Sequence, residues 1–235
     1  MKPRNFTDLF LKTPHLTSMP IQGGAAVQQP ASLPEGFVYI DEVIPGIRLD
    51  LRYCTVHNFV GKRIDGYIRP RGILTRAAAD ALAQVQAALK TSGLELSIFD
   101  AYRPQQAVNH FERWTEDPSD TRMKAEFYPQ IDKPDLIREG YIARRSSHTR
   151  GSTVDLTIVS GVAGAPALDM GSAFDYFGPE SWMEYAGITA QQHANRLLLR
   201  RLMMQCGFVP FSMEWWHFTL ENEPFPDTGF NFPVQ

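Results

Sequence analysis

Residues 146–158 read SSHTRGSTVDLTI: a histidine, a turn-forming glycine, then an aspartate inside an apolar run. The stretch TVDLTIV predicts a buried strand. A carboxylate in such a strand is costly unless something positive meets it. Gly151 lets the chain turn between loop and strand, so that His148 can reach over toward Asp155. Two readings are open at this point. In one, Asp155 is held by Arg150 or by backbone amides. In the other, His148, Asp155 and a further histidine surround a metal ion. Two imidazole nitrogens and one carboxylate oxygen make a three-ligand zinc site, with a fourth position left for water.

The chain holds six histidines: His15, His57, His110, His148, His193 and His217. His110 and His193 fall in helical patterns, and His57 sits in a loop with no partner visible in the sequence. His217 has acidic company in EWWHF, residues 214–218. Glu214 and His217 are three apart, a spacing that shares a face on a helix but points to opposite faces of a straight strand. The surrounding residues are β-type. Either a bend brings the pair together, or Glu214 starts a strand and His217 is a satisfied core histidine. FDAYRP, residues 99–104, supplies Asp100 and Arg103 between a strand and a helix. Arg103 is read either as a structural partner of Asp100 or as a fixed cationic fork for a developing oxyanion or a substrate carboxylate.

The remaining pattern is mixed. Ile47, Leu49 and Leu51 alternate with Arg48, Asp50 and Arg52 at strand period. Thr75 is placed to cap a helix through RAAADALAQVQAALK that stops by Gly93. LELSIF reads as a strand, and Pro104 as the first turn of a helix through QQAVNHFERW. DKPDLIREGYI is a shorter helix candidate, and ITAQQHANRLLLRRLMMQCG a strongly amphipathic one ended by Gly207. FVPFSMEWWHFTL returns to strand-type residues. Strands and helices occur without regular alternation. This predicts an α+β fold with a mainly antiparallel central sheet flanked by helices.

The chain has 235 residues, 43% hydrophobic and 21% charged, with a net charge of -3. One domain over residues 35–235 is expected, preceded by a Gly-, Gln- and Pro-rich extension, residues 1–34, that reads as mobile or surface-lying. No concentrated basic face suggests nucleic acid, and no run is long enough to span a membrane. Arg144–Arg145 and Arg200–Arg201 read as solvated surface pairs. Cys54 and Cys206 form no CxxC motif; two free thiols in a reducing compartment is the simpler reading. Charged residues and Pro14 interrupt any leader-like apolar run near the N-terminus, so a cytoplasmic place is expected, the periplasm being the alternative. Oligomeric state is left open, a homo-oligomer included.

Taken together, these stretches resemble one family, the zinc D-alanyl-D-alanine dipeptidases of the VanX type. SSHTRGSTVD is similar to their SxHxxGxAxD signature, with Thr153 where the signature has alanine. EWWHF matches their ExxH stretch and DAYRP their arginine motif. The likeness continues through NFVGKRIDGY, FYPQIDKPDLIREGYIARRSSH, MGSAFDYF and FNFPV, from about residue 37 onward. The resemblance implies a fold shared with D,D-peptidases and Hedgehog-like proteins, and one Zn2+ per chain bound by His148, Asp155 and His217. It implies Glu214 as general base for a zinc-activated water, and Arg103 as the transition-state stabiliser. Asp175 would meet the substrate ammonium, with Ser146 and Tyr53 close to the substrate. The expected reaction is hydrolysis of the small dipeptide D-Ala-D-Ala. A related carboxypeptidase or endopeptidase acting on peptidoglycan is the alternative, and a zinc-binding module without catalysis a third reading.

Overall fold

The computed structural model describes residues 32–162 and 164–235; most of the expected extension, residues 1–31, lies outside them. Five strands form the central sheet: β2 (Arg48–Leu49), β4 (Leu94–Asp100), β5 (Thr153–Ser160), β6 (Phe208–Pro210) and β7 (His217–Leu220). Their order is β2-β4-β5-β7-β6. Only β2 pairs in parallel, with β4; the β4–β5, β5–β7 and β6–β7 ladders are antiparallel. A separate ribbon pairs β1 (Phe37–Tyr39) with β3 (Ile73–Thr75). The fold is thus α+β with a mainly antiparallel sheet.

β5 is central and buried from Thr153 to Val159. Its Leu156 and Ile158 meet Leu96 and Ile98 across the β4 ladder, and all four are fully buried. That is why this strand reads as an almost continuous apolar run rather than an alternating one. The predicted β2 shrinks to two residues, although the Asp50 amide still donates to the Ile98 carbonyl at 2.8 Å.

After a single turn, α1 (Ile40–Val43), the first long helix is α2 (Arg76–Lys90). The Thr75 hydroxyl accepts from the Ala78 amide, capping the helix as expected. α3 (Gln105–Thr115) follows Pro104, which caps the helix rather than entering its first turn. α4 (Lys124–Phe127) and α5 (Asp135–Arg138) are single turns, so DKPDLIREGYI yields less helix than its pattern promised. α6 (Ala190–Gln205) opens with a capping box between Thr189 and Gln192. Its apolar face is imperfect: Leu197 and Met204 are exposed, whereas Arg196 is 1% exposed. Arg196 has turned inward to donate to the carbonyls of Met170, Glu180 and Trp182. Those bonds satisfy a buried cation without a carboxylate and tie down the segment that carries Asp175.

Among the described residues no helix is long and apolar enough to cross a membrane. Cys54 and Cys206 are free thiols.

Candidate metal centre and active site

Register brings the first functional groups together. Asp155 on β5 lies opposite Asp100 on β4 and opposite His217 on β7. Directly opposed residues share a face of the sheet, which sets these three side chains side by side. His148 arrives from a 3-10 turn, Ser147–Arg150, that starts with the Ser146 hydroxyl accepting from the His148 amide. The turn closes at Gly151, whose φ of 79° lies in the left-handed region. A Cβ at Gly151 would stand 2.2 Å from a ring carbon of Phe37, so glycine is needed for space as well as for φ.

His148 Nδ1 lies 2.6 Å from the Ala101 carbonyl. A carbonyl only accepts, so Nδ1 carries the proton and Nε2 presents a lone pair. That Nε2 is 3.2 Å from Asp155 Oδ2 and 3.3 Å from His217 Nδ1, and His217 Nδ1 is 3.1 Å from Asp155 Oδ1. Ligands about 2.0–2.1 Å from a tetrahedral zinc stand roughly 3.3 Å from one another. The separation of the two imidazole nitrogens matches that spacing, and each lies comparably close to one oxygen of Asp155, His148 to Oδ2 and His217 to Oδ1. Asp155 Oδ1 is buried without a well-aligned donor, the mark of an oxygen meant for something other than a hydrogen bond. The donor set therefore fits a zinc ion, and among the described residues it is this trio that offers three such ligand atoms.

The charges agree. Burial opposes ionisation of Asp155, but His148 and His217 outweigh it and hold the carboxyl well below its usual range. Burial, with help from Arg103, lowers His148 and keeps it neutral. For His217 burial acts downward, yet the Asp155 contact and Glu214 raise it overall. A cation there competes with a proton.

Glu214 reaches the same place by a bend. Its amide donates to the Phe211 carbonyl, and the His217 amide donates to the Glu214 carbonyl, which makes a tight turn before β7. The turn rotates Glu214 to the side of His217, with Oε2 3.5 Å from Nδ1. The adjacent tryptophans anchor it: Trp215 Nε1 donates to the Ser172 hydroxyl, and Trp216 is fully buried. Burial is the main reason the Glu214 carboxyl is raised to about 7; Asp155 adds to this, while His217 and Arg103 oppose it.

The structural reading of Arg103, as a partner of Asp100, holds. Its Nε donates to Asp100 Oδ2 at 2.9 Å, and a terminal nitrogen lies 3.5 Å from Asp155. Asp100 is steadied in turn by the Tyr67 hydroxyl at 2.6 Å. Asp175 is the one non-glycine residue at positive φ among the described residues, at 60°. Its Oδ2 accepts from the Tyr53 hydroxyl at 2.9 Å. Burial, then the charges of Asp155 and Glu214, push its carboxyl well above the usual range despite Arg103.

All eight residues singled out in the sequence, Tyr53, Arg103, Ser146, His148, Asp155, Asp175, Glu214 and His217, line one cavity of about 310 Å³. That is at the small end for ligand pockets. Arg150, the alternative partner of Asp155, instead pairs with Glu223 at 2.8 Å. One further expectation changes. His57, without a visible partner in sequence, meets Glu126 at 2.7 Å, 69 positions away and outside the cavity. Arg145, read as solvated surface beside Arg144, is exposed as expected but also lines the cavity, while Arg144 turns away to Glu112. Phe211 was also missed: its ring packs edge-on at 5.6 Å from His217. Neither residue carries a local signal, since periodicity does not distinguish two adjacent arginines.

Comparison with known proteins places the chain in a family. The chain is 43% identical over 198 residues to a D-alanyl-D-alanine dipeptidase of Streptomyces coelicolor, covering 84% of this chain and 98% of that protein. It is 43% identical over 199 residues to one from Enterococcus faecalis, covering 85% and 98%. A third, from Enterococcus faecium, is 40% identical over 200 residues, covering 85% and 98%. The model of the Peptidase_M15 family, D-Ala-D-Ala dipeptidase, matches residues 34–235. With those relatives, and with the His148–Asp155–His217 donor set at its centre, the chain belongs to the D-Ala-D-Ala dipeptidase family.

Proposed function

We propose that the protein hydrolyses free D-Ala-D-Ala to two D-alanines with one zinc ion per chain. The observation that carries this reading is the convergence of His148, Asp155 and His217, whose ligand atoms lie within 4.8 Å of one another, beside Glu214 in a cavity that also contains the buried carboxyl of Asp175. Zinc bound by His148, Asp155 and His217 supplies a Lewis acid that brings the pKa of a water toward about 7 and polarises a carbonyl oxygen.

The protein's own groups do the rest. Glu214 takes a proton from the attacking water and returns it to the departing amine, a double role open to one general acid–base. Arg103, oriented through its Nε bond to Asp100, offers its remaining N–H groups to the oxyanion developing on the scissile carbonyl. Asp175 meets the substrate ammonium, which supplies the positive partner that this buried carboxyl lacks. The Tyr53 hydroxyl holds Asp175 in place, and Ser146 shapes the wall while capping the turn of His148. A longer or N-blocked peptide would cover Asp175 with no cation to meet it, which is a strong ground for rejection. That supports a dipeptide substrate over a peptidoglycan strand.

The test is release of free alanine from D-Ala-D-Ala, L-Ala-L-Ala and N-acetyl-D-Ala-D-Ala, each with zinc-loaded and chelator-stripped protein. Zinc-dependent release from free D-Ala-D-Ala alone is expected. Equal cleavage of the acetylated peptide would remove the ammonium role of Asp175. No release by protein carrying one zinc per chain would end the dipeptidase reading.

A further inference from the structure

A dipeptide enters the cavity as a zwitterion, and its ammonium and carboxylate need separate partners. Asp155, Asp175 and Glu214 all line the cavity. A carboxylate set among them without a cation of its own would be repelled. Three arginines line the same cavity: Arg103, Arg145 and Arg150. Two are already committed. Arg103 is paired with Asp100 at 2.9 Å and faces Asp155 at 3.5 Å. Arg150 Nε sits 2.9 Å from each oxygen of Glu223, whose side chain is only 10% exposed.

Arg145 is different. Among the described residues it makes no ion pair and no side-chain hydrogen bond, although its neighbour Arg144 is paired with Glu112 at 3.0 Å. Adjacent serines on the same wall are neutral and can add a hydrogen bond but no charge: Ser146 Oγ accepts from the His148 amide, and Ser147 Oγ lies 3.3 Å from His217 Nε2. Among the described residues, the arginine at the cavity without an ion pair is therefore Arg145, which is exposed at its edge. A guanidinium is also well suited to the task, because its planar fork matches a carboxylate in two parallel bonds.

We propose that Arg145 anchors the C-terminal carboxylate of the substrate and so determines specificity for a free dipeptide acid. This rests on the dipeptidase reading above. Asp175 and Arg145 belong to separate segments of chain, 170–178 and 140–147, so the two charged ends of the dipeptide are read by independent walls.

The experiment compares kcat and KM for D-Ala-D-Ala and for D-Ala-D-alaninamide, which keeps the ammonium and scissile bond but lacks the carboxylate. It uses the zinc-loaded full chain as wild type, Arg145→Gln and Arg145→Lys. Wild type prefers the acid. Arg145→Gln raises KM for the acid on the order of ten- to a hundredfold, the range of a charge-assisted hydrogen bond. It leaves kcat for the acid and kcat/KM for the amide close to wild type, so the preference collapses, and Arg145→Lys restores part of it. The assignment is overturned if Arg145→Gln keeps the wild-type acid-to-amide ratio, or if it loses both substrates equally, as a merely structural role would require. A zinc-loaded wild type that cleaves neither compound overturns the dipeptidase reading and the anchor with it. An active wild type with an unchanged ratio in the variant overturns the anchor alone.

Discussion

Replacing Asp175 with asparagine should weaken catalysis and stabilise the fold at the same time. Asparagine has nearly the same shape and tolerates the left-handed conformation that Asp175 adopts at φ 60°. Its carbonyl can still accept from the Tyr53 hydroxyl, now 2.9 Å from Asp175 Oδ2. Only the charge is lost. A charge-assisted hydrogen bond contributes about 1.5–3 kcal/mol, and unit charges about 4 Å apart attract by roughly 4 kcal/mol at an effective dielectric near 20. Losing the ammonium partner should therefore cost about 2–4 kcal/mol, a fall of about 30- to 700-fold in kcat/KM. The free protein gains, because a buried carboxyl beside Asp155 and Glu214 is held well above its usual pKa. With a raised native pKa, the folded state holds its proton where the unfolded state, near pKa 3.9, has lost it. Wild-type stability therefore declines, through this group, as pH rises from about 4 toward the native pKa, and the asparagine variant escapes that decline. The assay pairs steady-state kinetics on D-Ala-D-Ala with thermal melts of both zinc-free proteins from pH 4 to pH 8. A variant with near wild-type kcat/KM would refute the ammonium role. A melting difference that does not widen with pH would refute the electrostatic account of the free site.

Glu214→Gln should lower kcat by about 100-fold or more, the scale of general acid–base catalysis, while metal analysis still finds one zinc per chain. Loss of zinc along with activity would make Glu214 a ligand instead. Arg103→Ala should cost about 2.7–4 kcal/mol in kcat, as for an oxyanion donor, and a change confined to KM would contradict that role. Gly151→Ala should destabilise by about 2–4 kcal/mol in a thermal melt, since a Cβ would meet Phe37 at 2.2 Å and φ is 79°. If Gly151→Ala with Phe37→Leu melts no higher than Gly151→Ala alone, crowding is not the cause.

Much of the molecule is legible one segment at a time. Thr75 before an alanine-rich stretch announces α2 through a local side-chain-to-amide bond. An aspartate within an apolar strand is conspicuous because burying an unmatched carboxylate is costly, and so Asp155 marks the site before any tertiary contact is known. The Glu214–His217 spacing is less decisive. Its β-type surroundings point the two side chains apart, and only the turn from Phe211 into β7 brings them to 3.5 Å. The pairing of His57 with Glu126 and the inward turn of Arg196 toward three carbonyls are equally silent in sequence.

The linear order already carries the set of elements and the chemical inventory: the strand around Asp155, the long helices α2, α3 and α6, and the motifs whose resemblance implies the ligands and the base. Propensity, capping and apolar period act within a few residues, so they survive in the linear order. The geometry comes from the folded chain. The β4–β5–β7 register aligns Asp100, Asp155 and His217, and the fold gives Arg103 and Arg150 their carboxylates while Arg145 at the cavity receives none among the described residues. Whether a charge becomes a structural pair or a functional group depends on which distant side chain lands beside it. That is a property of the folded arrangement, because these electrostatic contacts join residues far apart in the chain.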